Sequence, residues 1–327
     1  MTSIVLTLVV ISFLVVRVAV RMTRVADEIA ETTDLARGFV GMLLLAVATS
    51  LPELASSLFA VLIYGAPGLT FGNVFGSNVT NLAFIGLLDF MIVGSIFAHA
   101  AKEHVVNALW TVILTVMSGA VIVTEWWSGG TPIGFGKLLS LCILAAYVHA
   151  LYGQPRTEAS PSERSPTSGL HNGSPWLRFV ACAVAILVLG LLLAQSCDEL
   201  ACLSGLGHTF VGTLVMALVT SLPELVVSIE SVRLGSIDMA FGNLIGSNLF
   251  NITILAICDL ASPRSSLYAA PEAMASLPTA VMGCLMIGLV GAGLWCQQRW
   301  AIGGRVSPIS LLLVLAYITS NVMTYLH

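Results

Sequence analysis

Charge is what this chain has least of. Lys and Arg number 13 and Asp and Glu 17 in 327 residues, 9% of the sequence, where a soluble domain carries roughly 25%. A soluble two-domain protein is excluded, although the length alone would permit one. The net charge of -4 is small and dispersed, which leaves nucleic acid without a basic surface to bind. Seven cysteines contain no C-x-x-C pair and mostly sit inside apolar runs, as small packing residues do. There is no H-E-x-x-H motif and no pair of intramembrane aspartates, and the six histidines show no metal-ligand spacing. These absences argue against an enzyme and against a bound cofactor. What is abundant is apolar: 57% of residues are hydrophobic and the mean hydropathy is +0.97, so the solvent for most of the chain is lipid.

About 20 apolar residues cross a bilayer as a helix. The first run, Ile4 to Val20, lacks a basic leader and a small-residue cleavage site and reads as a retained helix. Arg21 to Arg37 reads as a charged connector. Four spans follow, near Phe39–Tyr64, Thr70–Phe97, Val105–Trp126 and Ile133–Leu151. From Gly153 to Pro175 the chain is rich in Pro, Ser and charge and reads as a flexible linker. Five more spans are expected near Trp176–Gln195, His208–Val232, Met239–Asp259, Ala273–Cys296 and Ser307–Tyr325. The predicted fold is an all-α membrane protein of ten transmembrane helices: residues 1–152 and 176–327 as two five-helix halves, joined by residues 153–175.

The halves repeat each other. GMLLLAVATSLPEL at Gly41–Leu54 returns as GTLVMALVTSLPEL at Gly212–Leu225, and FGNVFGSNVTN at Phe71–Asn81 returns as FGNLIGSNLFN at Phe241–Asn251. An odd number of spans per half makes the second half enter the bilayer from the opposite side, so the repeats are inverted. With the N-terminus outside, the inside connectors hold Arg17, Arg21, Arg24, Arg37, Lys102, Arg156, Arg164, Arg178, Arg233, Arg299 and Arg305, against Lys137 and Arg264 outside. That asymmetry predicts both termini outside and the linker in the cytoplasm.

Pro52 and Pro223 fall inside predicted spans, where proline deletes one helical hydrogen bond and crowds the carbonyl four residues back. A freed carbonyl in lipid must face protein, water or a ligand. Spacing of four places Thr49, Glu53 and Ser57 on one face, and likewise Thr220, Glu224 and Ser228, then Asn73, Ser77 and Asn81, and Asn243, Ser247 and Asn251. Burying an ionised carboxylate at mid-membrane costs on the order of 2.5–3.5 kcal/mol or more, so Glu53 and Glu224 at matched positions point to an ion site where the repeats meet. Carboxylates, hydroxyls, amide oxygens and carbonyls are hard donors suited to calcium and sodium. Two carboxylates neutralise one calcium ion. Gly72, Gly76, Gly242 and Gly246 have the spacing that lets helices approach closely.

These TSLPE and GN-x-x-GSN-x-x-N phrases, each present twice, resemble the alpha repeats of the sodium/calcium exchanger branch of the calcium/cation antiporter superfamily. The resemblance covers nearly the whole chain in layout. It implies that Glu53 and Glu224 are central ion ligands. Thr49, Ser50, Ser77, Asn81, Thr220, Ser221, Ser247 and Asn251 would supply further oxygens, with the backbone carbonyls of Ala46 and Ala217. It also implies that the first and sixth helices move against the rest. Asn at both 81 and 251, where some members have Asp, argues against a potassium requirement. The short linker has no room for large regulatory domains and suggests a prokaryotic form.

The expected function is therefore secondary antiport of calcium against sodium by alternating access. The expected partners are those two ions and the lipid bilayer, with no nucleic acid and no obligatory protein partner. Proton-coupled calcium exchange and a membrane protein that binds cations without transporting them are the alternatives.

Overall fold

The structure is a computed structural model that describes residues 2–33, 35–128, 133–153, 174–204, 218–263, 266–297, 301–302 and 306–326. It is all-helical in layout, and its longest elements are apolar. The first, α1 (Thr2–Thr33), is followed by a bent span made of α2 (Arg37–Val40), a wide π-helical turn over Gly41–Leu45, α3 (Ala46–Thr49) and α4 (Leu51–Leu62). Next come α5 (Pro67–Asp89), α6 (His104–Trp127), α7 (Ile133–Tyr152) and α8 (Pro175–Ser204). The second half continues with α9 (Leu222–Arg233), α10 (Ile237–Ala261), the short α11 (Pro271–Ala275), α12 (Leu277–Trp295) and α13 (Pro308–Leu326). Among the described residues five helices are long and apolar enough to cross a membrane, or six if the bent pair counts as one span. The count of ten rests partly on residues 205–217, outside the described residues.

Two expected boundaries move. The first helix does not stop at Val20 but runs to Thr33, so Arg21–Arg37 is no connector. Its charges are paired: Arg37 Nε with Asp27 Oδ1 at 2.7 Å and Arg37 Nη2 with Glu31 Oε1 at 3.2 Å. Arg178 Nη2 meets Glu28 Oε1 at 2.6 Å, and Arg24 Nε meets Glu230 Oε1 at 2.8 Å. Pairing lets a helix that is apolar at one end carry four acidic or basic side chains per two turns at the other. The span expected over Thr70–Phe97 ends at Asp89, because the buried Asp89 carboxylate accepts from Ile96 N and Ser307 N, each at 2.6 Å, and folds the following turn back. Its repeat counterpart Asp259 does the same, accepting from Leu267 N at 2.6 Å, Ser266 Oγ at 2.9 Å and Ser140 Oγ at 2.7 Å.

The centre of the molecule is α10. Of its apolar stretch 83% is buried, against 28% for α1 and 22% for α8. One apolar cluster joins α10 with α5, α6 and α7, and a second joins it with α5, α12 and α13. A third lays α1 beside α8, where Val15, Met22 and Ile29 pack with Phe179 and Ile186, with Leu45 of the bent span and with Val227 of α9. The bent span of the first half rests directly on α10. A Cβ on Gly41 would run into the carbonyl of Met239, one on Gly242 into the carbonyl of Gly38, and one on Gly246 would lie 2.7 Å from Met42 O. Here the spacing of small residues lets backbone meet backbone. Matched turns lead into the two Asn-bearing helices: Gly65 before α5 and Gly235 before α10 have φ of 59° and 72°, a left-handed conformation that glycine alone adopts at little cost.

Candidate functional site

Each half interrupts a span two residues before its proline. Ser50 has φ -89° and ψ 7°, and Ser221 has φ -83° and ψ 5°, so neither continues the helix before it. In the first half the two segments bend by 40°. New helices then start at Leu51 and Leu222, with proline in the first turn, where its missing N–H costs nothing. Glu53 and Glu224 also fall in those first turns. Each carboxylate therefore sits at the positive end of a fresh helix dipole, which favours an anion there. The sequence places the break, and the break places the charge.

Both carboxylates are fully buried, and Glu224 lies near enough to Glu53 for their charges to interact. Ser50 Oγ donates to Glu224 Oε1 at 2.9 Å, so the break of the first repeat meets the acid of the second. Among the described residues, Glu53 Oε1 and Oε2, Glu224 Oε2, Asn81 Oδ1, Asn251 Oδ1, Ser77 Oγ and Ser221 Oγ have no hydrogen-bond partner. Buried polar atoms are almost always paired, and leaving one unpaired costs about 1–3 kcal/mol. With Asn73 Oδ1, which is likewise unpartnered, eight such oxygens lie on the two repeats and form a set of acceptors whose natural complement is a cation.

Asparagines fix where those oxygens point. Asn73 Nδ2 donates to Ser57 Oγ at 3.1 Å and approaches Glu53 O at 3.4 Å. Asn243 Nδ2 matches it with Ser228 Oγ at 2.9 Å and Glu224 O at 3.1 Å. These two amides pin each glutamate's helix to the neighbouring one. A second set crosses between the repeats. Asn81 Nδ2 donates to Asn248 Oδ1 at 3.1 Å, and Asn251 Nδ2 to Asn78 Oδ1 at 3.0 Å. Asn78 and Asn248 also donate to each other's backbone carbonyls, at 3.3 and 3.1 Å. With their NH2 groups committed this way, Asn81 and Asn251 are left with Oδ1 free.

The residues singled out from sequence come together. Thr49, Ser50, Glu53, Ser77, Asn81, Thr220, Ser221, Glu224, Ser247 and Asn251 are all at 0% exposure, as is Ala46. Ala217 lies outside the described residues. Thr49 Oγ1 donates to Leu45 O at 3.0 Å and lies 3.5 Å from Ser247 Oγ, bridging the repeats. The Ala46 carbonyl accepts from Ser50 N at 3.1 Å and from Ser247 Oγ at 3.4 Å. Asn78 and Asn248 escaped the spacing argument because they stand one residue away from the Ser77 and Ser247 stripes. The signal was present all the same, since both belong to the repeated GSN phrase.

Known proteins resemble this chain in sequence and in fold. A family profile described as "Sodium/calcium exchanger protein" matches residues 3–154 and 174–326. The sodium/calcium exchanger MaX1 of Methanosarcina acetivorans is 27% identical over 331 residues, covering 90% of this chain and 93% of its own. The putative antiporter CaxA of Alkalimonas amylolytica is 27% identical over 251 residues, 73% of this chain and 74% of its own. Among solved structures, the sodium-calcium exchanger NCX_Mj soaked with sodium and strontium superposes with a TM-score of 0.69 at 20% identity, covering 98% of both chains. At that identity the likeness speaks for the fold.

Proposed function

Because the chain belongs to the sodium/calcium exchanger protein family, we propose that it is a secondary antiporter moving calcium against sodium, with both ions held in turn between Glu53 and Glu224. The observation that carries this reading is the set of eight buried, unpartnered oxygens on the two repeats. Two carboxylates balance the charge of one calcium ion, and neutral hydroxyl and amide oxygens complete a hard, oxygen-only shell. Sodium takes the same donor types, so the ions compete for overlapping positions. Thr49, Ser50, Ser77, Asn81, Thr220, Ser221, Ser247 and Asn251 supply the neutral oxygens, with the carbonyls of Ala46 and Ala217. Of these, Ala46 O must exchange its Ser247 partner for an ion.

Residues 1–152 and 176–327 act as two inverted five-helix halves on either side of the linker at 153–175, in a prokaryotic cell membrane with both termini outside. The clustering of Arg24, Arg37, Arg178 and their acidic partners in one ion-paired region supports a common cytoplasmic end for α1, α8 and α9. Alternating access moves α1 and α8 against the remainder. Their mutual packing and their low burial support that division. Gly190 of α8 presses on Pro52, where a Cβ would clash with the ring, which puts α8 in reach of the break beside Glu53.

The test is radioactive calcium uptake into proteoliposomes loaded with sodium and diluted into sodium-free buffer, with potassium-loaded and proton-gradient controls. Uptake that depends on internal sodium and not on potassium is expected. Uptake driven by the proton gradient alone would make the protein a calcium/proton antiporter. No uptake under any gradient would leave a cation-binding protein without transport.

A further inference from the structure

Helix α6 carries a polar face that the exchange site does not use. His104, Asn107, Thr111, Thr115, Ser118 and Glu125 are all buried, at 6% exposure or less, and their spacings of three, four and seven put them on one side of the helix. Helix α12 stands in the equivalent place in the second half. Its buried residues are Ala280, Met286, Ile287, Val290, Gly293 and Leu294, all without polar side chains. The duplication supplies the glutamates, prolines and asparagines of the candidate site twice, but it does not explain this face, which α12 lacks among its buried residues. Buried polar groups in a membrane protein are costly unless something satisfies them.

A small cavity lies at the middle of the stripe, lined by Thr111, Thr115, Thr279, Asn78, Asn248 and by Phe75, Leu82 and other apolar groups. Its size suits about one water molecule, and a water needs two to four polar partners to stay. Hydrogen-bond accounting supplies them. Thr111 Oγ1 donates to Asn107 O at 2.9 Å and Thr115 Oγ1 to Thr111 O at 2.7 Å, so both hydroxyl hydrogens are spent within the helix and the oxygens remain as acceptors. Asn78 Nδ2 and Asn248 Nδ2 each give one hydrogen to the other's backbone carbonyl, and each NH2 has a second. The cavity wall thus offers acceptors on one helix and donors on the asparagine pair. Neutral groups of both kinds match water, which donates and accepts, and no carboxylate lines the cavity to favour a cation.

We infer that this cavity is a bound-water site, in which one water links Thr111 and Thr115 of α6 to the Asn78–Asn248 pair and braces that pair from behind. Because Asn78 and Asn248 orient the amides of Asn251 and Asn81, the water holds two of the candidate ion-binding oxygens in place without touching an ion. The effect on ion affinity rests on the exchanger reading. The presence of the water does not.

X-ray radiolytic hydroxyl-radical labelling of the purified protein in nanodiscs, read by mass spectrometry, separates the two, since ordered water is the local source of radicals. Phe75 and Leu82 line the cavity at 1% exposure, and Phe97 and Leu88 are as buried elsewhere, at 0% and 2%. Phe75 and Leu82 should be oxidised about tenfold faster than those controls, and the excess should vanish in Thr111→Val/Thr115→Val, which keeps the shape and removes both acceptors. Labelling at control rates in the natural protein would show a dry cavity and overturn the site. Excess labelling that survives the double substitution would show that the hydroxyls do not hold the water and would equally overturn it. In calcium uptake the double variant should raise the apparent KM about three- to tenfold with maximal rate retained. An unchanged KM in a protein that has lost the labelling would refute the bracing role.

Discussion

Asn81 donates to Asn248 across the boundary between the two repeats, and the mirror bond runs from Asn251 to Asn78. Each half thereby aims an oxygen of the other. Asn248→Leu removes the acceptor, frees the Asn81 amide to rotate and leaves its NH2 unpaired, a loss of about 1–3 kcal/mol. The expected outcome is an apparent KM for calcium raised about tenfold or more, measured by the concentration dependence of sodium-driven uptake.

Glu53→Gln and Glu224→Gln keep the side-chain shape and remove the charge. Because the site needs both carboxylates to balance a divalent ion, either change should reduce calcium transport at least about 100-fold, equivalent to ~2.7 kcal/mol. Size-exclusion profiles of the purified variants should match the natural protein, since a Gln Oε1 can still accept the hydrogen bond that Ser50 Oγ gives to Glu224. Full activity in either variant would place the ions elsewhere.

Gly242→Ala and Gly288→Ala should act with opposite sign. At Gly242 a methyl group meets the carbonyl of Gly38, so the helices must part, at a cost of about 1–3 kcal/mol. At Gly288 nothing lies within 4 Å, and a helix interior gains roughly 0.5–1 kcal/mol when Gly becomes Ala. Thermal unfolding of the two purified variants checks both, with a lower midpoint for the first and an equal or higher one for the second.

Asp89→Asn replaces an acceptor-only carboxylate by an amide whose NH2 would face a backbone N–H. The two bonds at 2.6 Å, to Ile96 N and Ser307 N, cannot both survive. A charge-assisted bond is worth about 1.5–3 kcal/mol, so the unfolding midpoint should fall, and Asp259→Asn should repeat the effect in the second half. An unshifted midpoint in both would show that these carboxylates do not hold the turns.

Much of this site was readable beforehand, for a physical reason: helical spacing and burial in lipid are both local constraints. Four-residue intervals placed Thr49, Glu53, Ser77, Asn81 and their repeats on inward faces, and the prolines marked where two spans break. The misses were of another kind. The length of α1 was underestimated because hydropathy counts Asp27, Glu28 and Glu31 as unpaired charges, whereas Arg37 and Arg178 reach them from elsewhere in the chain. The polar face of α6 was hidden because the lipid-facing Val, Leu and Trp side chains dominate its average. The orienting role of Asn78 and Asn248 depends on partners about 170 residues away, and no local pattern encodes such a partner.

The contact of main chain on main chain between the first bent span and α10 also bears on how the protein is made. Gly41 and Gly38 rest on Met239 and Gly242, residues that leave the ribosome only when most of the second half has been synthesised. Domains commonly mature in the order of synthesis, but here the first bent span lacks its main-chain partner until α10 has entered the bilayer. The candidate site around Glu53 is therefore complete only after α10, well into the second half, has been made.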